Sequence, residues 1–177
     1  GKKAEALTSL NTVLSLSPDN TQAWYEAGLL LREQRQYQEA LTAFDKVIEQ
    51  TPTDAKAWLN RGMVLSRLRQ REDAIAAFDR ALDINPKYHE AWVNRGVAFG
   101  ILQAHEKAFE SFDQAVKLQA NDGVAWLNRG LALTELDRFE EAVASFDKAV
   151  RFKPTLAKAW DNRGYVLLKL GRDRDAL

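Results

Sequence analysis

The sequence predicts an all-α fold, an α-solenoid built from antiparallel helix pairs. Three observations predict it: one residue pattern recurs with a period of 34, apolar residues within each period follow helical spacing, and proline closes most periods. The recurring residues are Trp24, Trp58, Trp92, Trp126 and Trp160; Gly28, Gly62, Gly96, Gly130 and Gly164; Ala6, Ala40, Ala74, Ala108, Ala142 and Ala176; Phe44, Phe78, Phe112 and Phe146; and Pro18, Pro52, Pro86 and Pro154.

Each 34-residue period predicts two helices, followed by a proline that ends the second helix. Trp58, Gly62 and Leu65 are spaced as residues on one face of a first helix, and Ala74 and Phe78 begin the same pattern in a second. The proline that follows cannot continue a helix. Because the glycine and alanine positions are small, two backbones can approach closely there, and we expect the large Trp and Phe rings to fill the core beside them.

The pattern Trp-x-x-x-Gly, then Ala-x-x-x-Phe, then Pro resembles the tetratricopeptide repeat (TPR) family over the whole chain. The chain departs from that family in carrying Arg where Leu usually precedes the Gly, and Leu or Phe in place of a later Tyr. The resemblance implies a right-handed α-solenoid, the TPR superhelix, formed by a single array over residues 1–177. Its parts are a second helix of a partial repeat at 1–20, full repeats at 21–54, 55–88, 89–122 and 123–156, and a partial repeat at 157–177.

The arginine that precedes the glycine needs a partner, because a leucine there would be buried at less cost. An aspartate recurs with the same period, directly after each Phe. Where the arginine is missing, at Ala27, the residue sixteen positions earlier is Asn11 instead of an aspartate. This correlation predicts ion pairs that join the second helix of one repeat to the first helix of the next. The pairs are Asp45–Arg61, Asp79–Arg95, Asp113–Arg129 and Asp147–Arg163.

The first helix of each repeat lines the concave face in TPR proteins, so the resemblance implies which side chains face a partner. These are Tyr25 and Leu29, Leu59 and Met63, Val93 and Val97, Leu127 and Leu131, and Asp161 and Tyr165, with Ile101 beside them. The middle of this row is aliphatic, which predicts a docking surface for an apolar peptide or an amphipathic helix. Packing against neighbouring helices, or against a second copy of the chain, is the alternative.

A row of amides runs beside the aliphatic strip, at Asn60, Asn94, Asn128 and Asn162. Asparagine has both donors and an acceptor, so the row could bind the backbone of an extended peptide. It resembles the asparagine ladder in the TPR region of O-linked N-acetylglucosamine transferases; hydrogen bonding within the helix stack is the alternative. Chaperone-binding TPR proteins hold a carboxylate with Lys, Asn and Arg, and Leu, Met and Val at those positions argue against that mechanism here.

The composition argues against several classes of protein. The 177 residues include 25 basic and 25 acidic side chains, no cysteine and no apolar run of membrane-spanning length. Balanced charge argues against a nucleic-acid binder. Four arginines cluster without continuing along the array: Arg35, Arg67, Arg69 and Arg71. No phosphate-binding loop or metal-ligand spacing occurs, and His89 and His105 lie in different repeats. We therefore expect no enzymatic activity, cofactor, metal, nucleic-acid partner or membrane insertion.

The predicted function is a non-catalytic scaffold that binds an extended peptide or an amphipathic helix in an apolar groove edged by asparagines. A self-assembly module, stacking head-to-tail or through the groove, is the alternative, and a nucleic-acid-binding helical repeat is a third hypothesis. Because both ends lie inside a helix pair without polar caps, we expect a fragment of a longer array. No signal peptide is visible, and we expect a cytoplasmic location.

Overall fold

The computed structural model describes residues 2–172, with side chains from residue 4 onward, and within that range it contains ten α-helices and no strand. The helices are α1 (Lys2–Leu16), α2 (Thr21–Glu33), α3 (Tyr37–Gln50), α4 (Ala55–Arg67), α5 (Arg71–Ile84), α6 (His89–Ile101), α7 (His105–Leu118), α8 (Gly123–Glu135), α9 (Phe139–Phe152) and α10 (Ala157–Lys169). The all-α class predicted from the sequence is confirmed.

Two compact units make up the chain, Gly1–Ala91 and Trp92–Leu177, and each is described by itself. In the first unit α1 packs on α2, α2 on α3, α3 on α4 and α4 on α5. A small core around Leu14 lies between α1 and α2. A second core, around Phe44 and Val64, joins α2, α3 and α4.

The second unit contains most of α6 and all of α7 to α10. Its main core joins α8, α9 and α10 through the fully buried side chains of Leu133, Phe146 and Leu167. A smaller core around Ala115 and Ala125 lies where α7 meets α8. The buried residues are those that the 34-residue period places on the inner faces of the helices.

The shared period of glycine and phenylalanine has a steric cause. A Cβ atom added to Gly62 would lie 2.5 Å from Phe78 Cε1, and one added to Gly130 would lie 2.5 Å from Phe146 Cε1. The same relation holds for Gly28 with Phe44 (2.9 Å) and for Gly96 with Phe112 (2.7 Å). Non-bonded carbon atoms prefer separations of about 3.5–4.0 Å. The glycine is therefore what allows the ring to lie directly against the first helix.

The recurring tryptophans share one local hydrogen bond. The indole N–H donates to the backbone carbonyl six residues earlier, which belongs to the residue that ends the preceding helix pair. The bonds join Trp24 to Pro18 (2.7 Å), Trp58 to Pro52 (2.9 Å), Trp126 to Ala120 (2.8 Å) and Trp160 to Pro154 (3.0 Å). The bond uses the carbonyl and not the ring, so Ala120 serves as well as proline. The indoles lie at the edge of the core, and Trp160 is half exposed.

The turn that follows each first helix contains one residue with positive φ. These are Arg35 (62°), Arg69 (64°), Gln103 (57°), Asp137 (56°) and Gly171 (67°). The next amide donates to a carbonyl five residues earlier, as from Gln70 to Leu65 at 3.0 Å, which is the hydrogen bond of a Schellman motif. The first three turns therefore hold a side chain in a conformation that costs about 1–2 kcal/mol for most residues, whereas aspartate, as at Asp137, adopts it more readily.

In three of the four predicted ion pairs both residues belong to the same unit, and all three pairs form. The distances from arginine Nε to aspartate Oδ1 are 2.7 Å for Asp45–Arg61, 2.9 Å for Asp113–Arg129 and 2.6 Å for Asp147–Arg163. Each pair joins a second helix to the first helix of the following pair. The fourth, Asp79–Arg95, has one residue in each unit and stays a prediction.

Arg129 illustrates how arginine is accommodated where the family has leucine. Its guanidinium donates to Ser145 Oγ at 2.7 Å and lies over the rings of Phe109 and Trp126, at 4.9 and 5.6 Å from their centroids. The Ser145 hydroxyl is buried and donates to the carbonyl of Glu141 at 2.9 Å. Because the planar guanidinium combines several donors with a face that stacks on aromatic rings, its burial is compensated.

The carboxylate of Asp113 is held by two cations, and we expect replacement of Arg129 with methionine to raise its pKa. Burial acts to raise the pKa of Asp113, but hydrogen bonds from Lys117 and Arg129, together with their charges, outweigh burial and lower it. The depressed pKa stabilises the fold above the ordinary aspartate pKa of about 3.9, and this contribution is lost as pH falls through the folded-state value. NMR titration of the carboxyl carbon measures the shift.

The matched control for that titration is Lys148→Met. Lys148 lies on α9 and makes no ion pair with any of residues 2–172. Its loss should leave the pKa of Asp113 unchanged. If Arg129→Met also left that pKa unchanged, the guanidinium could not be the group that lowers it.

Candidate functional site

An apolar trough lies in the second unit, between α6, α7 and α8, and encloses about 430 Å³. We call it the second-unit trough. Four of the predicted partner-binding residues line it: Val97, Ile101, Asn128 and Leu131. The other eight lining residues were not predicted from the sequence to face a partner; they are Gly96, Gly100, Gln103, His105, Ala108, Phe112, Ala132 and Glu135. The trough is thus formed by the first helices of two consecutive repeats and the start of the helix between them.

The walls of the trough are apolar and open to solvent. Val97 is 41% exposed and Ile101 is 55% exposed, although both are aliphatic. Between them in α6 lies Gly100, and no atom beyond its own stretch of helix lies within 4 Å of the position that a Cβ atom there would take. Covering such a surface with apolar atoms of a partner contributes about 25 cal/mol per Å². The geometry suits a side chain that enters beside Gly100.

Polar groups lie at two places in the trough. Asn128 is half-buried, and its side chain makes no hydrogen bond with any residue that the structure describes. Glu135 is exposed at the end of α8 and is likewise without an ion pair among those residues. An amide and a carboxylate therefore remain available to a bound molecule.

The first unit has a corresponding trough, also of about 430 Å³, which we call the first-unit trough. Each residue that lines it lies two repeat periods before a residue that lines the second-unit trough. The lining residues are Arg32, Glu33, Arg35, Tyr37, Met63 and Arg67. Here the chain supplies its own occupant, because Arg32 Nη1 donates to Asn60 Oδ1 and lies 3.5 Å from Met63 Sδ.

Three predicted site residues are buried, and the prediction that they face a partner is wrong. Leu59 is 2% exposed, Asn60 is 6% exposed and Leu127 is 5% exposed. Leu127 belongs to the core that joins α8, α9 and α10. The physical reason is that Leu59 and Leu127 lie on first helices that contact the first helix of a neighbouring repeat, as α4 contacts α2 and α8 contacts α10.

Asn60 has a structural role. Its Nδ2 donates to Tyr25 Oη at 3.1 Å and to the Lys56 carbonyl at 2.8 Å, while its Oδ1 accepts from Arg32. Tyr25 in turn packs edge-on against Phe44, with ring centroids 5.9 Å apart. Burial, the largest of several causes, raises the pKa of Tyr25. The first asparagine of the predicted row is thus consumed by bonds within the first unit.

Three further residues of the predicted aliphatic strip are half-buried. Leu29 packs against the first-unit core, and Val93 packs against the smaller core of the second unit. Met63 lies under the guanidinium of Arg32. These side chains contribute to packing between helices, which is the alternative that the sequence left open.

The rest of the asparagine row is uneven. Asn94 is half-buried, like Asn128. Asn162 donates through Nδ2 to the carbonyl of Lys158 in its own helix, at 2.7 Å. Tyr165, the last predicted site residue, is exposed on α10. No continuous ladder of equivalent amides is formed by the residues of either unit.

Two residues of the trough differ in type from the residues at the equivalent positions of the other repeats. The position of Ile101 is charged in the other repeats, which have Glu33, Arg67, Glu135 and Lys169. The position of Gly100 carries a side chain in the others, which have Arg32, Ser66, Thr134 and Leu168. Gly100 and Ile101 are adjacent, so the surface of the third full repeat is less polar and less bulky at this point than the surface of the other repeats.

Two kinds of feature are absent from residues 2–172. No helix there has the length and apolar character needed to cross a bilayer. No group of acidic or histidine side chains there is arranged to hold a metal ion.

Several solved structures have this fold. MamA matches with a TM-score of 0.81 at 24% identity, covering 86% of this chain and 89% of that chain. YrrB, a TPR protein with an unusual peptide-binding site, matches with a TM-score of 0.82 at 21% identity, covering 95% and 87%. A tetratricopeptide repeat protein from Parabacteroides merdae matches with a TM-score of 0.82 at 21% identity, covering 99% and 70%. At these identities the likeness shows the fold, an all-α solenoid of helix pairs.

The comparison with curated proteins gave no match. Family patterns, in contrast, match along almost the whole sequence. The tetratricopeptide repeat pattern matches residues 1–55, 55–88 and 89–122, and the TPR repeat pattern matches residues 130–171. The chain therefore belongs to the tetratricopeptide repeat family.

Proposed function

We propose that this chain is a non-catalytic protein-interaction scaffold that binds a segment of a partner protein in the second-unit trough. The observation that carries the proposal is the trough itself, with exposed Val97 and Ile101 on its wall and the available amide of Asn128 beside them. Soluble proteins rarely expose adjacent aliphatic side chains along a concave surface without a binding role.

An extended peptide or one turn of an amphipathic helix suits this trough better than a small enclosed ligand, because the trough is open along its length. Apolar side chains of the segment would cover Val97, Ile101 and Leu131. Asn128 can donate to a backbone carbonyl or accept from a backbone N–H, so it can fix the direction of the segment. YrrB, which shares the fold, is a TPR protein with a peptide-binding site.

The proposed surface is smaller than the groove expected from the sequence. Leu59, Asn60 and Leu127 are core residues. The proposal therefore places the apolar contacts on α6 and α8 of the second unit and does not require a ladder that runs through every repeat.

Replacement of Ile101 with aspartate is expected to weaken peptide binding by about tenfold or more, because a charge would be buried without a partner on binding. Ile101 is exposed, so the variant should fold. The ligands are peptides selected from a random display library against this chain, and fluorescence anisotropy measures their dissociation constants.

The matched control is Val124→Asp, which introduces the same charge at an exposed valine in the first turn of α8, outside the trough. A carboxylate is favourable near a helix N-terminus, and binding should stay within about twofold of the unsubstituted chain. Selected peptides that bound Ile101→Asp as tightly as the unsubstituted chain would contradict the site. A concentration-dependent dimer in sedimentation, abolished by Ile101→Asp, would assign the trough to self-association instead.

A further inference from the structure

The two troughs differ at equivalent positions in a way that points to one occupant. In the first unit, Arg32 extends over Asn60 and Met63. Two repeat periods later the equivalent of Arg32 is Gly100, while Asn128 and Leu131 take the places of Asn60 and Met63. The second-unit trough therefore keeps an asparagine and an apolar floor but lacks the guanidinium.

We infer that the second-unit trough receives an arginine side chain of the partner segment, whose guanidinium takes the place that Arg32 holds in the first unit. This inference rests on the proposed function of the same trough and names the side chain that the trough recognises. It is carried by three groups, which are Gly100, Asn128 and Glu135.

Asn128 supplies the acceptor. In the first unit, Arg32 Nη1 donates to the Oδ1 atom of the equivalent asparagine, Asn60. Asn128 Oδ1 has no donor among residues 2–172, although the residue is half-buried and lines the trough. Gly100 has no side chain, and no atom beyond its own stretch of helix lies within 4 Å of its added Cβ, so the chain leaves open the position from which Arg32 extends in the first unit.

Glu135 supplies the charge. The lining of the first-unit trough contains three arginines and one glutamate, which leaves a formal charge of +2. In the lining of the second-unit trough, Glu135 carries the formal charge of −1, with His105 taken as neutral. The equivalent of Glu135 in the first unit is Arg67. The first-unit trough therefore repels an incoming cation at this position, whereas the second-unit trough attracts one.

Arginine fits the remaining surface better than lysine. Its planar guanidinium has five donors in fixed directions, so it can donate to the Asn128 amide oxygen while its delocalised charge is attracted to the Glu135 carboxylate. Its aliphatic stem can lie against Val97 and Ile101 while the charged end extends to Asn128. A lysine ammonium would reach one of these acceptors as a point charge.

The test uses the acetylated, amidated peptide Gly-Ser-Leu-X-Leu-Ser-Gly, with X as arginine, lysine, citrulline or glutamate. Citrulline keeps the shape of arginine and removes its charge. NMR titration of the full chain follows the side-chain amide of Asn128 and the methyl groups of Leu131 at millimolar peptide. We expect saturable shifts with arginine, weaker binding with lysine and citrulline, and the weakest with glutamate.

Two variants of the chain sharpen the test. Gly100→Arg restores the residue found in the first unit and should weaken binding of the arginine peptide by about tenfold or more, because the chain then fills its own trough. Because a Cβ atom at Gly100 would lie in open space, we expect the variant to fold. Glu135→Gln should weaken the arginine peptide by about two- to fivefold, as expected for an exposed ion pair, and leave the citrulline peptide unchanged.

Equal affinities for the four peptides, persistence of the shifts in Gly100→Arg, or no saturable shift with the arginine peptide would each overturn the inference. The proposed function is judged separately by the Ile101→Asp variant. If selected peptides bind in an Ile101-dependent manner without an arginine preference, the scaffold function stands and the arginine inference fails.

Discussion

Replacing Phe146 with alanine is expected to lower the free energy of unfolding by about 3–5 kcal/mol. The ring is fully buried in α9, and its core includes Leu133 of α8 and Leu167 of α10. Truncation removes apolar contacts on both sides and leaves a cavity beside Gly130, which has no side chain with which to fill it. Urea denaturation followed by circular dichroism measures the loss.

The matched control is Phe152→Ala in the same helix. Phe152 is 39% exposed, so its truncation creates no enclosed cavity and should cost less than about 1 kcal/mol. Similar losses at the two positions would show that helix α9 is stabilised by its own propensity and not by the ring at Phe146.

The repeat pattern predicted most of the fold because the same few residues make the same contacts in each helix pair. Gly62 and Phe78 share a period since the ring of one lies where the Cβ atom of the other would be. Asp113 and Arg129 share it since they form a hydrogen-bonded ion pair across two repeats at 2.9 Å. When two recurring residues contact each other, a change at one is accompanied by a change at the other. Ala27 replaces the arginine and Asn11, sixteen residues earlier, replaces the aspartate, which showed that each arginine pairs with the earlier aspartate.

Contacts with the backbone left no comparable correlation. The indole of Trp126 donates to the carbonyl of Ala120, and a carbonyl is present whatever the residue. The left-handed residues of the turns are equally hard to predict, because Arg35, Arg69 and Gln103 are not residues that favour positive φ. Both features become visible only when the turn geometry is known.

The candidate site was predicted less well than the fold. Aliphatic residues on the first helices were assigned to one groove, yet Leu127 is in the core while Val97 is exposed. Both are aliphatic at helical spacing, so the pattern alone could not separate packing between first helices from an open wall. The informative residues are those that depart from the repeat pattern, Gly100 and Ile101, and of these only Ile101 was predicted to lie at the site.

Replacement of Gly130 with alanine is expected to destabilise the chain by about 1–3 kcal/mol, although alanine is the better helix former. The three atoms nearest to the added Cβ all belong to Phe146, at 2.5–2.9 Å, so the ring must move within a core that has no spare room. The loss is measured by the same urea denaturation. Gly100→Ala is the matched control, because nothing lies within 4 Å of its added Cβ, and it should gain up to about 1 kcal/mol.

The double variant Gly130→Ala, Phe146→Ala tests the steric explanation, because the effect of Gly130→Ala on the free energy of unfolding should change sign in it. Once Phe146 is alanine, the ring that opposes a Cβ atom at Gly130 is gone, and the helix propensity of alanine should then stabilise α8 by up to about 1 kcal/mol. Gly130→Ala should therefore destabilise the unsubstituted chain and stabilise the Phe146→Ala chain. A loss of equal size in both backgrounds would mean that the glycine is required by the backbone of α8 and not by the ring packed against it.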